Sequence, residues 1–384
     1  MLRIFVFTLA IALLPLKAQA QESLQILYTG AIKGELEPCG CSPETQSGGL
    51  ARLSGFLMEE GGSLKPFILI DAGNSLAEDT AQGRLKSEAL LRSFAVMGYD
   101  ALAFFKSAAV PPASLNVRPG KNAITDIPGQ RRSIETRRGE IRVNISADPK
   151  GLKKGPLNVL LTEKPVTGLK NVSGWDVVIT SSGELLDEPV RIEGSIIISG
   201  YPKGEKLGVL KLSLDSHGKV SGFSHRWQPL GKEVKEDARV RAILKEYDTK
   251  VAALLVEKEK EAASLGPYLG EAACVECHEP FSESWKATRH ARAFETLERV
   301  GKSKDPECVV CHTTGFGEAG GFYSKKATPG LADVQCEVCH GPGKDHVREG
   351  KATMAVDRSL CLRCHTAATS PFFDYESYRE RIKH

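Results

Sequence analysis

Four pentads of one form, CVECH (274–278), CVVCH (308–312), CEVCH (336–340) and CLRCH (361–365), crowd the last third of this 384-residue chain. A C-x-x-C pair followed at once by histidine suits covalent haem: the two thiols form thioethers with the two vinyl groups, and the adjoining imidazole reaches the iron. The haem-bearing cysteines would be Cys274 and Cys277, Cys308 and Cys311, Cys336 and Cys339, and Cys361 and Cys364, with His278, His312, His340 and His365 as iron ligands. Two other chemistries use the same cysteines. Paired C-x-x-C builds structural zinc sites, and ten cysteines in an exported chain would normally form a disulfide framework. Neither accounts for a histidine after every pair in a chain with nine histidines in all. Four covalently attached haem c groups are the reading adopted.

Each iron has two axial positions. From residue 267 onward there are seven histidines, the four of the pentads plus His290, His346 and His384. Three second ligands remain for four irons, so one iron takes another ligand or stays open. Met354, the one methionine of this region, offers Met/His ligation, although a lone methionine more often serves as packing. The spacing of His290 from its nearest pentad does not say which iron it serves.

These groups must be held by elements of two different kinds. Residues 21–231 carry strand-like runs at LQILYTG (24–30), PFILIDAG (66–73), LNVLLT (157–162), WDVVITS (175–181), SIIIS (195–199) and LGVLKLSL (207–214). Helix-like stretches such as 83–98 lie between some of them, which reads as an α/β domain. Residues 232–266 are rich in helix formers and close on Gly266-Pro267, predicting a long amphipathic helix that links or caps this domain. Beyond it, only 22 of the 118 residues from 267 to 384 are Val, Ile, Leu, Met, Phe or Trp, too thin a set for a self-supporting core. Four apolar macrocycles would replace the missing side chains, so this region should fold poorly without them.

At the front, Arg3, the apolar run Ile4–Leu16 and Ala18-Gln19-Ala20 read as a secretory signal peptide over 1–20, removed after Ala20. The expected compartment is periplasmic or secreted, with no membrane span after cleavage. A net charge of +3 with 26% charged residues provides no basic field for nucleic acid or an anionic membrane. Redox proteins are the expected partners, with an oligomer or a cytochrome complex also open.

Several segments carry a family likeness. SWKATRHA (284–291), CVVCHTTGFGEAGGF (308–322), CEVCHGPGKDH (336–346) and FDYESYRERIKH (373–384) resemble tetrahaem cytochromes of the cytochrome c-554 type over roughly 268–384. The resemblance implies a cross-wired ligand scheme: His278 with His346 on the first haem, His340 with His384 on the third, and His365 with His290 on the fourth. It leaves the second haem, held by Cys308, Cys311 and His312, five-coordinate. The linker after the fourth pentad is shorter here than in that family.

The first domain resembles the exported 5′-nucleotidase type of metallophosphoesterase, through LQILYT (24–29), GELEPC (34–39), GGLAR (48–52), DAGN (71–74), MGYDA (97–101) and GEKLG (204–208). The implied fold is a four-layer sandwich of calcineurin-like type, two central sheets with helices outside. The implied dinuclear metal chemistry lacks its ligands. Ala31-Ile32-Lys33 stands where the family has Asp-x-His, Asn74 where it has a bridging aspartate, and Lys106-Ser107 where it has Asn-His. Asp71 remains, and His217 and His225 lie in or beside a turn. A degenerate, inactive phosphoesterase-like domain is expected. Cys39 and Cys41, left over from haem attachment, are compatible with a tight disulfide, a free redox pair, a soft-metal site or plain burial.

The sequence therefore predicts an exported multihaem electron carrier with no assigned catalytic residue. One rival is a reductase or oxidase of small nitrogen or oxygen species at the second haem; another is a cytochrome assembly or docking protein. A pyridine haemochrome assay against protein concentration should give about four haems per chain, and replacing Cys311 by serine should remove one thioether. A value near zero with bound zinc would sink this reading.

Overall fold

The computed structural model describes residues 22–38, 46–108, 111–117, 120–259, 266–367 and 369–383. Residues 1–20, expected from the sequence to be a signal peptide, and Cys39, Cys41 and His384 lie outside the described residues. The N-terminal region runs β1 (Ser23–Thr29), α1 (Leu50–Glu60), β2 (Phe67–Asp71), α2 (Ala81–Met97), β3 (Ala101–Phe104) and β4 (Ala123–Thr125). It continues through β5 (Ser133–Arg138), β6 (Ile141–Ser146), β7 (Leu157–Thr162), β8 (Val177–Thr180), β9 (Val190–Ile192), β10 (Ser195–Ser199), β11 (Lys206–Leu214) and β12 (Val220–Pro229) to α3 (Ala238–Glu259).

Two six-stranded mixed sheets result, ordered β12-β11-β1-β2-β3-β4 and β5-β6-β7-β8-β10-β9. The central strands β7, β8 and β10 are buried at every position, which explains their unbroken apolar sequences: a parallel strand covered on both faces has no polar side to show. Between the sheets pack Ile26, Tyr28, Ile68 and Ile70 from one and Val143, Val159, Ile179 and Ile198 from the other. The alternate residues Leu27 and Leu69 face a helical layer of Leu53, Phe56, Leu90, Phe94 and Leu244, as the period-two geometry of a strand requires. The outer face of the second sheet is covered by Leu169, Val172 and Trp175, from a segment with one 3₁₀ turn.

The expected linking helix is α3, and it belongs to the helical layer. Its buried residues Val240, Ile243, Leu244, Tyr247 and Val251 recur at helical spacing and form one face against α1 and α2. Its start is fixed by Asp237, which accepts hydrogen bonds from Ser54 Oγ at 2.7 Å and from the Arg239 amide at 2.9 Å.

The loops at the strand ends bring the two sheets together. A Cβ on Gly200, after β10, would stand 2.7 Å from backbone atoms of Gly30, after β1, so the close approach needs glycine. Beside it, the Asp71 carboxylate ends β2 fully buried. It accepts from Thr29 Oγ1 and Ser75 Oγ, both at 2.8 Å, and from the Gly73 amide at 3.1 Å. Asn74, in the left-handed region at φ 53°, donates through Nδ2 to the Ser181 carbonyl at 2.9 Å and so ties the first sheet to the second.

The C-terminal region is built of short helices: α4 (Ala272–Lys286), α5 (Ala293–Arg299), α6 (Pro306–His312), α7 (Cys336–His340), α8 (Lys344–Glu349), α9 (Arg358–Leu362) and α10 (Tyr375–Glu380). Its buried apolar cluster is small, Phe294, Leu297, Val309, Phe322, Leu331 and Ala332. Val300, Val347, Leu362 and Phe372 stand exposed, Phe372 at 78%. That matches the thin core read from composition. None of the described helices is long and apolar enough to cross a membrane.

Burial raises the Asp71 carboxyl to about 6, against the lowering effect of its three hydrogen bonds. An acid whose folded value exceeds its unfolded value binds more protons when folded, so its contribution to stability falls as pH rises through that window. Between about pH 4 and pH 7 the wild type should lose up to about 3 kcal/mol relative to an Asp71→Asn variant. Urea unfolding of both proteins at the two pH values checks this; parallel pH profiles would refute it.

Candidate haem centre and the N-terminal cleft

Each pentad sits in or at the end of a short helix, which puts its two cysteines one turn apart on one face. α7 is the pentad CEVCH itself and α6 ends on His312. α4 breaks its helical geometry at His278 (φ −123°, ψ 32°), two residues before Pro280. In the fourth pentad Cys361 lies in α9, with Cys364 and His365 just beyond it. None of the eight pentad cysteines forms a disulfide among the described residues. Sulfurs of different pentads meet in pairs, Cys274 with Cys336 and Cys311 with Cys364. The first pentad thus lies against the third, and the second against the fourth.

The histidines outside the pentads come from α8 and from the turn between α4 and α5. The rings of His278 and His346 lie 6.2 Å apart and are inclined by 27°. Those of His290 and His365 are also 6.2 Å apart, at 53°. Imidazole nitrogen binds a first-row metal at about 2 Å, so two imidazoles on opposite faces of one iron hold their ring centres roughly 6 Å apart. Burial lowers the pKa of His290, with the His365 and His312 charges adding to the effect, and burial likewise lowers His365. Both therefore favour the neutral ring that ligates metal.

Tautomers are set by carbonyls. His346 Nδ1 lies 2.7 Å from the Lys351 oxygen, and His312 Nδ1 lies 2.7 Å from the Ala293 oxygen, with Thr296 Oγ1 at 3.2 Å. A carbonyl only accepts, so each Nδ1 carries the proton and each Nε2 keeps a lone pair for a metal. His365 is steadied differently, by stacking on Phe373 at 4.6 Å and 13° with Tyr378 edge-on at 5.7 Å. Residue type and spacing gave no sign of Ala293, Lys351 or Phe373, because backbone carbonyls and a stacking ring leave no motif. Cysteines one turn apart, neutral imidazoles and ring pairs at metal-spanning separation together fit covalent haem.

Met354 lies by the third pentad. Its amide donates to the His340 carbonyl at 2.9 Å, and its side chain borders Gly341. The expected partner of His340, His384, is outside the described residues.

In the N-terminal region a cleft of about 590 Å³ opens at the strand ends, lined by Lys33, Asp71, Asn74, Ser75 and Lys86, and by Glu307 from the C-terminal region. These residues do not fit a dinuclear metal centre. Both Asp71 oxygens already accept protein hydrogen bonds, and Asn74 turns its amide NH₂ to a carbonyl. Ser107 bonds Glu163. His225 lies elsewhere, 2.9 Å from Tyr28 Oη, and His217 sits in the turn held by Asp215. Among the described residues no group of three or more His, Cys, Asp or Glu could hold a metal ion.

Comparison with known proteins bears on both regions. Residues 273–341 match the family model described as cytochrome c554 and c-prime. Cytochrome c-554 of Nitrosomonas europaea is 38% identical over 109 residues, covering 23% of this chain and 46% of that protein, so the chain spans about half the length of the curated relative it matches. The solved 5′-nucleotidase precursor from Thermus thermophilus is similar with a TM-score of 0.48 and 17% identity, covering 61% of this chain and 60% of that one. The calcineurin-like phosphoesterase YfkN from Bacillus subtilis follows with a TM-score of 0.45 and 13% identity, covering 60% of this chain and 98% of that one. These two likenesses concern the fold of the N-terminal region alone. With its pentads and paired imidazoles, the C-terminal region of this chain is a cytochrome c554-type domain.

Proposed function

We propose that this chain is an exported tetrahaem electron carrier whose second iron is open. A cytochrome c554-type domain points to multihaem electron transfer and to a place outside the cytoplasm; the count of four haems, their ligands and a periplasmic or secreted location are our reading. The observation that carries it is the pair of imidazole couples, His278 with His346 and His290 with His365, each 6.2 Å apart and each joining distant segments. Bound haem supplies one-electron iron chemistry. The eight pentad cysteines would anchor it, and His278, His312, His340 and His365 would each hold one iron. His346, His384 and His290 would serve as second ligands for the first, third and fourth irons. The carbonyl of Lys351 strengthens His346 as a donor by holding its Nδ1 proton, and that of Ala293 does the same for His312. The contacts between pentads one and three and between two and four support short steps for an electron between neighbouring haems. Redox proteins are the partners this role requires.

A second reading places reduction or oxidation of a small nitrogen or oxygen species at the haem of His312. Seven histidines for four irons favour it, as does the seating of Met354 beside His340. The N-terminal region, in this account, hydrolyses no nucleotide, since the donors in its cleft are committed to protein partners. Nucleoside monophosphates offered with manganese, zinc or calcium should release phosphate only at background; metal-dependent release abolished by Asp71→Ala would overturn that.

Electron paramagnetic resonance of the oxidised protein should count one high-spin and three low-spin irons. His290→Ala should add a second high-spin haem, while Met354→Ala should leave the count unchanged. Four low-spin irons, with one becoming high-spin in Met354→Ala, would identify Met354 as the missing ligand and close the site.

A further inference from the structure

The second pentad differs from the others in its neighbours. Lys86 of α2 pairs with Glu307, the residue before Cys308, at 2.6 Å, with the lysine side chain 10% exposed and the glutamate 55%. Gln82, one turn earlier on α2, donates to Asp305 Oδ1 at 2.9 Å and to Tyr247 Oη of α3 at 3.0 Å. Asp305 is the N-cap of α6 and accepts the Glu307 amide through the same oxygen at 3.1 Å, so Gln82 holds the group that starts this helix. Lys302 reaches Asp248 of α3 at 2.7 Å and Glu37 at 3.5 Å. Arg241 grips the same Glu37 through two nitrogens at 2.6 and 2.9 Å. Burial opposes the Lys302 charge, but its hydrogen bond to Asp248 and the facing carboxylates hold its pKa above the ordinary value. Among the described residues, every ion pair between the two regions ends on residues 302–307, and α4, α7 and α9 have none to α2 or α3.

We infer that the N-terminal region is the built-in partner of the second haem: α2 and α3 grip the start of α6, and the Lys86–Glu307 pair sets the charge beside that haem. Lys86 and Gln82 are positioning residues that act through the helix carrying Cys308, Cys311 and His312. The inference rests on the reading that the haem of His312 is the open one. It gives the N-terminal region a task that needs no hydrolysis. Lys86 and Glu307 also line the cleft, so the former strand-end pocket is partly closed by the cytochrome's own helix.

The pair's two charges act on the haem with opposite sign. Reduction adds one electron to the iron, so a nearby cation favours it and a nearby anion opposes it. Redox titration of full-length holoprotein, following the high-spin haem by its spectrum, tests this. Lys86→Met should lower the midpoint of that haem and Glu307→Gln should raise it. The double variant should return towards the wild type, and the three low-spin midpoints should stay in place. Because Glu307 is half exposed, the Glu307→Gln shift should shrink as salt is raised. Glu307→Gln alters an exposed group and serves as the independent arm if Lys86→Met folds poorly. Shifts of the same sign in both variants, no shift, or equal movement of all four midpoints would overturn the inference. A wild type with no high-spin iron would overturn the reading of the site instead, and is seen before any substitution is made.

Discussion

Facing imidazoles are the constraint on which the C-terminal region depends. Its aliphatic core is too small to order some hundred residues, and its helices are each only one to four turns long. Covalent attachment alone would fix each haem to one short helix. A second histidine drawn from another segment would tie that helix to a distant part of the chain, so under the proposed ligation each doubly ligated iron would act as a cross-link as well as a redox centre. His346 from α8 meets His278 at the kink of α4, and His290 from the turn after α4 meets His365 beyond α9. The contacts of pentad one with three and two with four follow from the same crossing.

The N-terminal region works by the opposite economy. Its two sheets bury a large apolar interior, and among the described residues the buried side-chain polar atoms left without a partner are Arg132 Nε, Asn144 Oδ1 and Trp175 Nε1, the others being hydrogen-bonded as in the group around Asp71. Asp71, Thr29, Ser75 and Tyr99 form one such network, with Thr29 Oγ1 3.0 Å from Tyr99 Oη. A carboxylate placed this way holds a loop in shape, and both its oxygens are occupied in doing so. The cleft keeps the position that open α/β sheets offer to ligands, outside the carboxyl ends of their strands, while its donors have turned to structural tasks.

Where the two regions meet, the contacts are charged and specific. Lys302 and Arg241 share Glu37 from the loop after β1, and Lys86 reaches out of α2 with its side chain almost buried. A partly buried ion pair is weak ground for stability, because desolvation and solvent screening offset much of the attraction. Its better-attested use is to set register, and here the register concerns a single haem helix.

The chemistry was legible in the sequence because it is local. C-x-x-C-H is complete within five residues, and the apolar runs of β7, β8 and β10 declare buried strands by their composition. Short or polar strands were not legible: Ser133–Arg138 alternates half-buried and exposed residues at a sheet edge, and β3, β4 and β9 are three or four residues long. The count of seven histidines set how many irons could be doubly ligated by histidine, yet spacing alone could not pair them, since each partner lies in a separate segment. Which rings face each other, which carbonyl fixes a tautomer, and the burial that lifts Asp71 all arise from groups distant in the chain. The grip of Lys86 on Glu307 is of the same kind, two ordinary surface-type residues 221 positions apart. Covalent motifs and composition are written along the chain, whereas proximity and desolvation exist only once the chain has folded.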